Sequence, residues 1–193
     1  MRTTNCRHVQ ARHRDREWEP RLHFCEGNHK EFWRRYSETE FLGHDHLALI
    51  AESEGWNWSR LGQPAEIAGV LFAHYFTTGI SKHPVGIGQA LSKTHRSCVW
   101  GHSHSFGFDQ KPVLGRGTIS AVCAGSFRPP HRCGPHDWSG LVMLTDVRDG
   151  SFAIQQIPYD VVLERYGQGD YAQRLRAARV GMAQDMQDAA EAF

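Results

Sequence analysis

The sequence predicts an α/β fold on a mixed sheet. Up to about residue 100, short apolar segments alternate with amphipathic ones in the order βα(α)βαβ. The half that follows is dominated by strands and turns. At 193 residues and 40% hydrophobic content, the chain can bury a core as one domain rather than stay disordered.

In chain order, residues 1–19 are polar and Arg-rich, and read as a basic helical arm. After Pro20, "RLHFCEGNH" places Leu22, Phe24 and Cys25 in a short strand that runs into a Gly-Asn turn. "HKEFWRRYSETEFL" is helical, with Phe32, Trp33 and Tyr36 on one side, and residues 44–55 form a second helix stopped at Gly55. "GWNWSRLGQP" reads as a loop and "AEIAGVLFAHYF" as one apolar strand ending at His74. Residues 79–88 are a loop, "IGQALSKTH" a short helix and "SCVW" a buried strand. "GTISAVCAGSF" alternates as a strand. "WSGLVMLTDV" and "SFAIQQIPYD" form a hairpin around Asp149-Gly150. The expected organisation is an arm over 1–19, a domain over 20–160 and a helical tail over 161–193.

The net charge of +1 gives no global pull toward nucleic acid or membrane, although residues 1–36 carry nine Lys/Arg against five Asp/Glu. Five cysteines, an odd number with no CxxC, argue against a disulfide framework. They fit a reducing cytoplasm, the expected location. No apolar run approaches the length of a membrane-spanning helix, and the N-terminus lacks the apolar stretch of a secretory signal.

Thirteen histidines and six tryptophans are many for this length. Three apolar strands each end in a polar cluster: "EGNH" at 26–29, His74, and "GHSH" at 101–104. Ligands in open α/β sheets bind beyond the carboxyl ends of strands. If the three strands are parallel neighbours, Asn28, His29, His74, His102 and His104 converge on one rim. Imidazole and amide oxygen suit Mn, Fe, Ni or Zn. Gly27 and Gly101 are expected to allow sharp turns after their strands. A tight turn at 101–104 would let two histidines serve two adjacent metals.

In this order and at these intervals, "EGNH", a strand-terminal histidine and "GHSH" resemble the later motifs of calcineurin-like metallophosphoesterases, particularly phage and bacterial members. The closing "DWSGLVMLTDVRDGSFAIQQIPYD" is similar to that family's final hairpin. The resemblance spans roughly residues 20–160. It implies a metallophosphoesterase-like mixed-sheet sandwich and hydrolysis of a phosphomonoester or phosphodiester. Asn28, His74 and His102 would bind a second divalent ion (Mn, Fe, Ni, Zn or Mg) and His104 a first. His29 would donate a proton to the leaving alcohol. Two ions would clamp the phosphoryl oxygens and supply hydroxide for in-line attack.

The family's two earlier motifs, D-x-H and G-D, have no counterpart in the 26 residues before Gly27. The expectation is therefore an N-terminally truncated member, lacking the first strands and impaired at the first metal. Lys30 stands where the family usually carries Asp or Glu. That charge would weaken metal binding and depress the pKa of His29. An exposed sheet edge left by missing strands favours a homodimer. The expected partner is a phosphoester, with nucleotides or nucleic acid the suggested class. Two other readings stay open: a non-catalytic remnant acting as a binding module, and a nucleic-acid-binding protein using the arm together with Trp56 and Trp58. His131, Cys133 and His136 have zinc-like spacing but no fourth ligand, and with Lys82 and His83 read as polar loop.

Overall fold

Alternation along two neighbouring strands organises the larger part of the structure. Cys98 and Trp100 face one way with Ala121 and Cys123, while Val99 and Val122 face the other. The structure, a computed structural model, describes residues 20–28, 44–79, 82–115, 117–167 and 173. The expected arm over 1–19, the helix after Asn28, and nearly all of the tail beyond Gly167 lie outside the described residues. The chain forms two compact units, residues 1–63 and 64–193.

In the first unit, β1 (Leu22–Cys25) pairs in parallel with β2 (Trp56–Ser59), with Leu22 opposite Trp56 and Cys25 opposite Ser59. Helix α1 (His44–Ser53) connects them and ends before Gly55, whose φ is +81°. The loop expected over "GWNWSRLGQP" is therefore half strand. The pairing comes from far along the chain: Phe24 stacks on Trp58 at 4.7 Å, Asn57 donates to the Leu22 carbonyl, and His23 meets the Ser59 hydroxyl at 2.8 Å. Pairing with β2 also means that β1 is not a ladder neighbour of the strands that carry His74 and His102, contrary to the three-strand expectation.

In the second unit, β3 (Ala65–Ile67), β4 (Val70–Ala73), β5 (Cys98–Trp100), β6 (Phe106–Val113) and β7 (Gly117–Ala124) form one sheet in the order β3-β4-β5-β7-β6. The β4, β5 and β7 strands are parallel; β3 and β6 run antiparallel at the two edges. The mixed α/β class holds. The single strand expected over "AEIAGVLFAHYF" is instead the β3–β4 hairpin, turned at Ala68-Gly69 with φ of +50° and +80°. Two positive φ values are the mark of a type I′ turn, which an alanine at its first position conceals from a sequence reading.

Two layers cover this sheet. Helix α2 (Ile87–Thr94) buries Ala90 and Leu91 on the Cys98–Trp100 face, with Val85 beside them. The other face takes the hairpin of β8 (Gly140–Arg148) and β9 (Ser151–Pro158), whose Phe152, Val142, Leu144 and Ile154 pack on Val70, Val99 and Val122. Each fully buried aliphatic side chain of this kind contributes about 1.5–3 kcal/mol. Helix α3 (Tyr159–Tyr166) follows β9 and buries Tyr159.

The β8–β9 hairpin turns at Asp149-Gly150, as expected, and its tip locks onto the β3–β4 turn. The Gly150 N–H donates to the Ala68 carbonyl at 3.1 Å. A Cβ on Gly69 would fall 2.7 Å from Gly150 N, and one on Gly150 would fall 2.8 Å from Gly69 O. Both residues have left-handed φ, so only glycine suits either turn.

Among the described residues Cys25, Cys98, Cys123 and Cys133 are free thiols. Burial pushes the Cys98 thiol up to about 11, against a smaller opposing pull from the Thr94 hydroxyl.

Two predictions follow from this packing. Gly150→Ala should cost clearly more than Gly115→Ala in chemical denaturation. Both have φ near +80°, but a Cβ at Gly115 meets nothing within 4 Å, so it bears only the backbone strain of about 1 kcal/mol. Equal costs would refute the turn-to-turn lock. The second concerns alkali. An unfolded thiol ionises near 9.0, whereas folded Cys98 keeps its proton to about 11. Its contribution is complete below pH 9 and drains as pH rises, at up to about 1.4 kcal/mol per pH unit. Cys98→Ala should flatten the fall in stability between those two values.

Candidate metal centre

The parallel ladder between β4 and β5 sets Ala73 opposite Trp100, so both strands end level. One further hydrogen bond, from the Gly101 N–H to the His74 carbonyl at 3.2 Å, carries the pairing a residue beyond the strands. His74 and His102 leave from this rim. His102 Nδ1 lies 3.2 Å from His74 Nε2, with the rings 5.1 Å apart and nearly perpendicular. Tyr75 flanks both, at 5.6 Å from the His74 ring and 5.0 Å from that of His102.

The turn that aims His102 is strained. The Ser103 N–H donates back to the Gly101 carbonyl at 2.8 Å, and the residue between them, His102, has φ +65°. A hydrogen bond across one residue with positive φ is the signature of the rare γ-turn. His104 is also left-handed, at φ +59°. The sharp turn expected of Gly101 thus falls on the histidines themselves. Histidine enters this region more readily than most side chains, yet at a cost that surrounding structure must offset. Beneath the turn, Cys123 donates its thiol to the Gly101 carbonyl at 3.5 Å.

His104 sits in a different environment. Its carbonyl accepts from the Trp138 N–H at 2.9 Å, and its Nδ1 lies 3.0 Å from Nη2 of Arg128. The same Nη2 pairs with the Asp137 carboxylate, which also accepts from the Gly134 N–H at 2.9 Å. Gly125, at φ +69°, lets the 125–139 segment close over this point: a Cβ there would lie 2.6 Å from the Trp138 carbonyl oxygen.

Asn28 occupies the turn after β1, in the first unit, and is half-buried. His29 and Lys30 lie outside the described residues. Ahead of Asn28 stands Glu26, only 2% exposed, whose backbone N–H donates to Ser59 and whose carboxylate accepts from the Leu61 N–H at 3.1 Å. The sequence reading passed over this buried carboxylate. A glutamate directly after an apolar strand, like the histidines that follow strands elsewhere in the chain, was the available signal.

Among the described residues, no group of three or more His, Cys, Asp and Glu side chains converges as a ready metal site. His74 and His102 are the pair of the expected set that the structure brings together. Cys133 turns its thiol toward the Pro129 and Arg128 carbonyls, and His131 and His136 are exposed. A cleft of about 570 Å³ opens at the opposite, amino-terminal ends of β5 and β7, between Ser97, Thr118 and Gly150. It lies at the other end of β5 from the histidine rim, and its Arg96 is paired with Glu66.

No protein-family model matches this chain, and no curated protein matches it either.

Two imidazoles that bind one ion at ~2.0–2.1 Å have nitrogens roughly 2.9–3.4 Å apart at right-angled to tetrahedral geometry. The 3.2 Å between His74 and His102 falls in that range. The left-handed turn yields a direct test. His102→Gly relieves the φ strain and should be more stable than His102→Ala by about 1 kcal/mol. If His102 ligates zinc, added zinc should stabilise the parent chain and neither variant. Thermal melts with and without zinc read both effects, and a zinc shift that persists in His102→Gly would remove His102 from the centre.

Proposed function

We propose that this chain is a metal-dependent phosphoesterase of the calcineurin-like metallophosphoesterase type. The observation that carries the reading is the facing pair His74 Nε2 and His102 Nδ1, 3.2 Å apart beyond the carboxyl ends of adjacent parallel strands. Further support comes from the layered arrangement of helix, mixed sheet and closing hairpin, and from the order EGNH, His74, GHSH along the chain.

In this reading His74 and His102, from the ends of two adjacent parallel strands, would hold one divalent ion. Lone pairs at His74 Nε2 and His102 Nδ1 require the protons to sit on His74 Nδ1 and His102 Nε2. Tyr75, packed on both rings, limits their rotation. When bound, a divalent ion supplies Lewis acidity toward phosphoryl oxygens and acidifies water. The family resemblance gives His29 the role of proton donor to the departing alcohol. The substrate is a phosphomonoester or phosphodiester, with nucleotides or nucleic acid the class proposed.

Hydrolysis of an aryl phosphodiester by the full chain with added Mn tests the proposal. Activity should require Mn and fall in His102→Ala by at least the ~10–100-fold that losing even an outer metal partner costs. Activity that survives the substitution removes His102 from the site. Metal binding without hydrolysis favours the second reading, a non-catalytic binding module. That reading draws on the lack of a three-residue ligand cluster among the described residues.

A further inference from the structure

The family resemblance assigns His104 to a first metal ion, and the geometry at His104 disagrees. A guanidinium can only donate hydrogen bonds, so the contact between Arg128 Nη2 and His104 Nδ1 at 3.0 Å makes Nδ1 the acceptor. A neutral imidazole carries one proton, which then resides on Nε2. Both nitrogens are committed, and neither offers a free lone pair to an ion.

Arg128 is built into this place. Its Nη2 also pairs with the Asp137 carboxylate. Its backbone N–H donates to the Ser139 hydroxyl at 3.0 Å, and its carbonyl accepts from that hydroxyl at 2.5 Å. The segment is further tied to the site by the bond from the Trp138 N–H to the His104 carbonyl. Yet the Arg128 side chain remains 36% exposed. Its Nε is buried without a partner among the described residues, and Nη2 serves His104 and Asp137, so the donors left for a ligand are those of Nη1.

We infer that the chain carries one metal ion, between His74 and His102, and that Arg128 with the His104 Nε2–H replaces the first ion as a donor pair for a phosphate-type oxyanion. This rests on the metal-centre reading above. A guanidinium needs no D-x-H or G-D carboxylates to hold it, and it keeps its charge at every relevant pH. Asp137 offsets much of that charge, so the pair acts through directed N–H donors more than through net field. A lysine at this position, a point charge without the planar fork, should not substitute.

The test uses the full chain, with zinc alone and then orthophosphate as probes. Zinc titration should count one ion per chain, lost in His74→Ala and His102→Ala but kept in His104→Ala and Arg128→Gln. In the zinc-loaded chain, Arg128→Gln and Arg128→Lys should each weaken orthophosphate by about tenfold or more, the value of one charge-assisted hydrogen bond. Nitrogen-15 NMR of the metal-free chain should find His104 as the Nε2–H tautomer, and a mixture of tautomers in folded Arg128→Gln. Two ions per chain, with the second lost in His104→Ala, would overturn this inference while leaving the metal-centre reading intact. So would orthophosphate binding indifferent to Arg128, or a His104 Nδ1–H tautomer. Zinc binding that is absent, or indifferent to His74 and His102, would overturn both.

Discussion

The ladder between β4 and β5 is the constraint on which the rest of the second unit depends. Its register ends the two strands level, and the extra bond from Gly101 to His74 holds their exits side by side. Everything proposed at the rim requires that alignment. A slip of one residue would turn Leu71, Cys98 and Trp100 away from α2 and send Val99 toward it, so the burial of both faces enforces the register. The same packing that stabilises the sheet therefore positions the histidines, with no separate device.

The rim divides into two halves of different chemistry. On one side two imidazole nitrogens face each other, held by Tyr75 and by a strained turn. On the other, His104 faces an arginine fixed by Asp137 and by the backbone of the 125–139 segment. His102 and His104 are only two positions apart, yet their left-handed backbones send the two side chains to separate partners. A regular extended strand would have put His102 and His104 on a common side.

Local pattern made some of this legible. Alternation and turn chemistry located β1, β5, β7 and the β8–β9 hairpin, where Asp149-Gly150 announces itself, and the segments 44–55 and "IGQALSKTH" were legible as the helices α1 and α2. The β3–β4 hairpin stayed hidden because its turn lies inside an apolar run and begins with an alanine, a residue that rarely takes positive φ. Strand β2 stayed hidden because what makes it a strand is a partner 34 residues earlier. At the site, the clusters at strand ends pointed to His74 and His102. Arg128 could not be read this way: it reaches His104 across 24 positions, through a loop whose composition says only that it is polar.

The lock between the Ala68-Gly69 and Asp149-Gly150 turns joins points some eighty residues apart. Contacts of such long range bear the full entropy of loop closure before they return any energy. The β3-to-β7 sheet, whose strands are closer in sequence, is therefore expected to assemble first, with the β8–β9 hairpin closing over it last. In kinetic terms the lock acts as a latch: it slows the opening of the finished molecule far more than it speeds its making. Protein released from that latch would keep its histidine rim and lose the cover over the opposite face of the sheet.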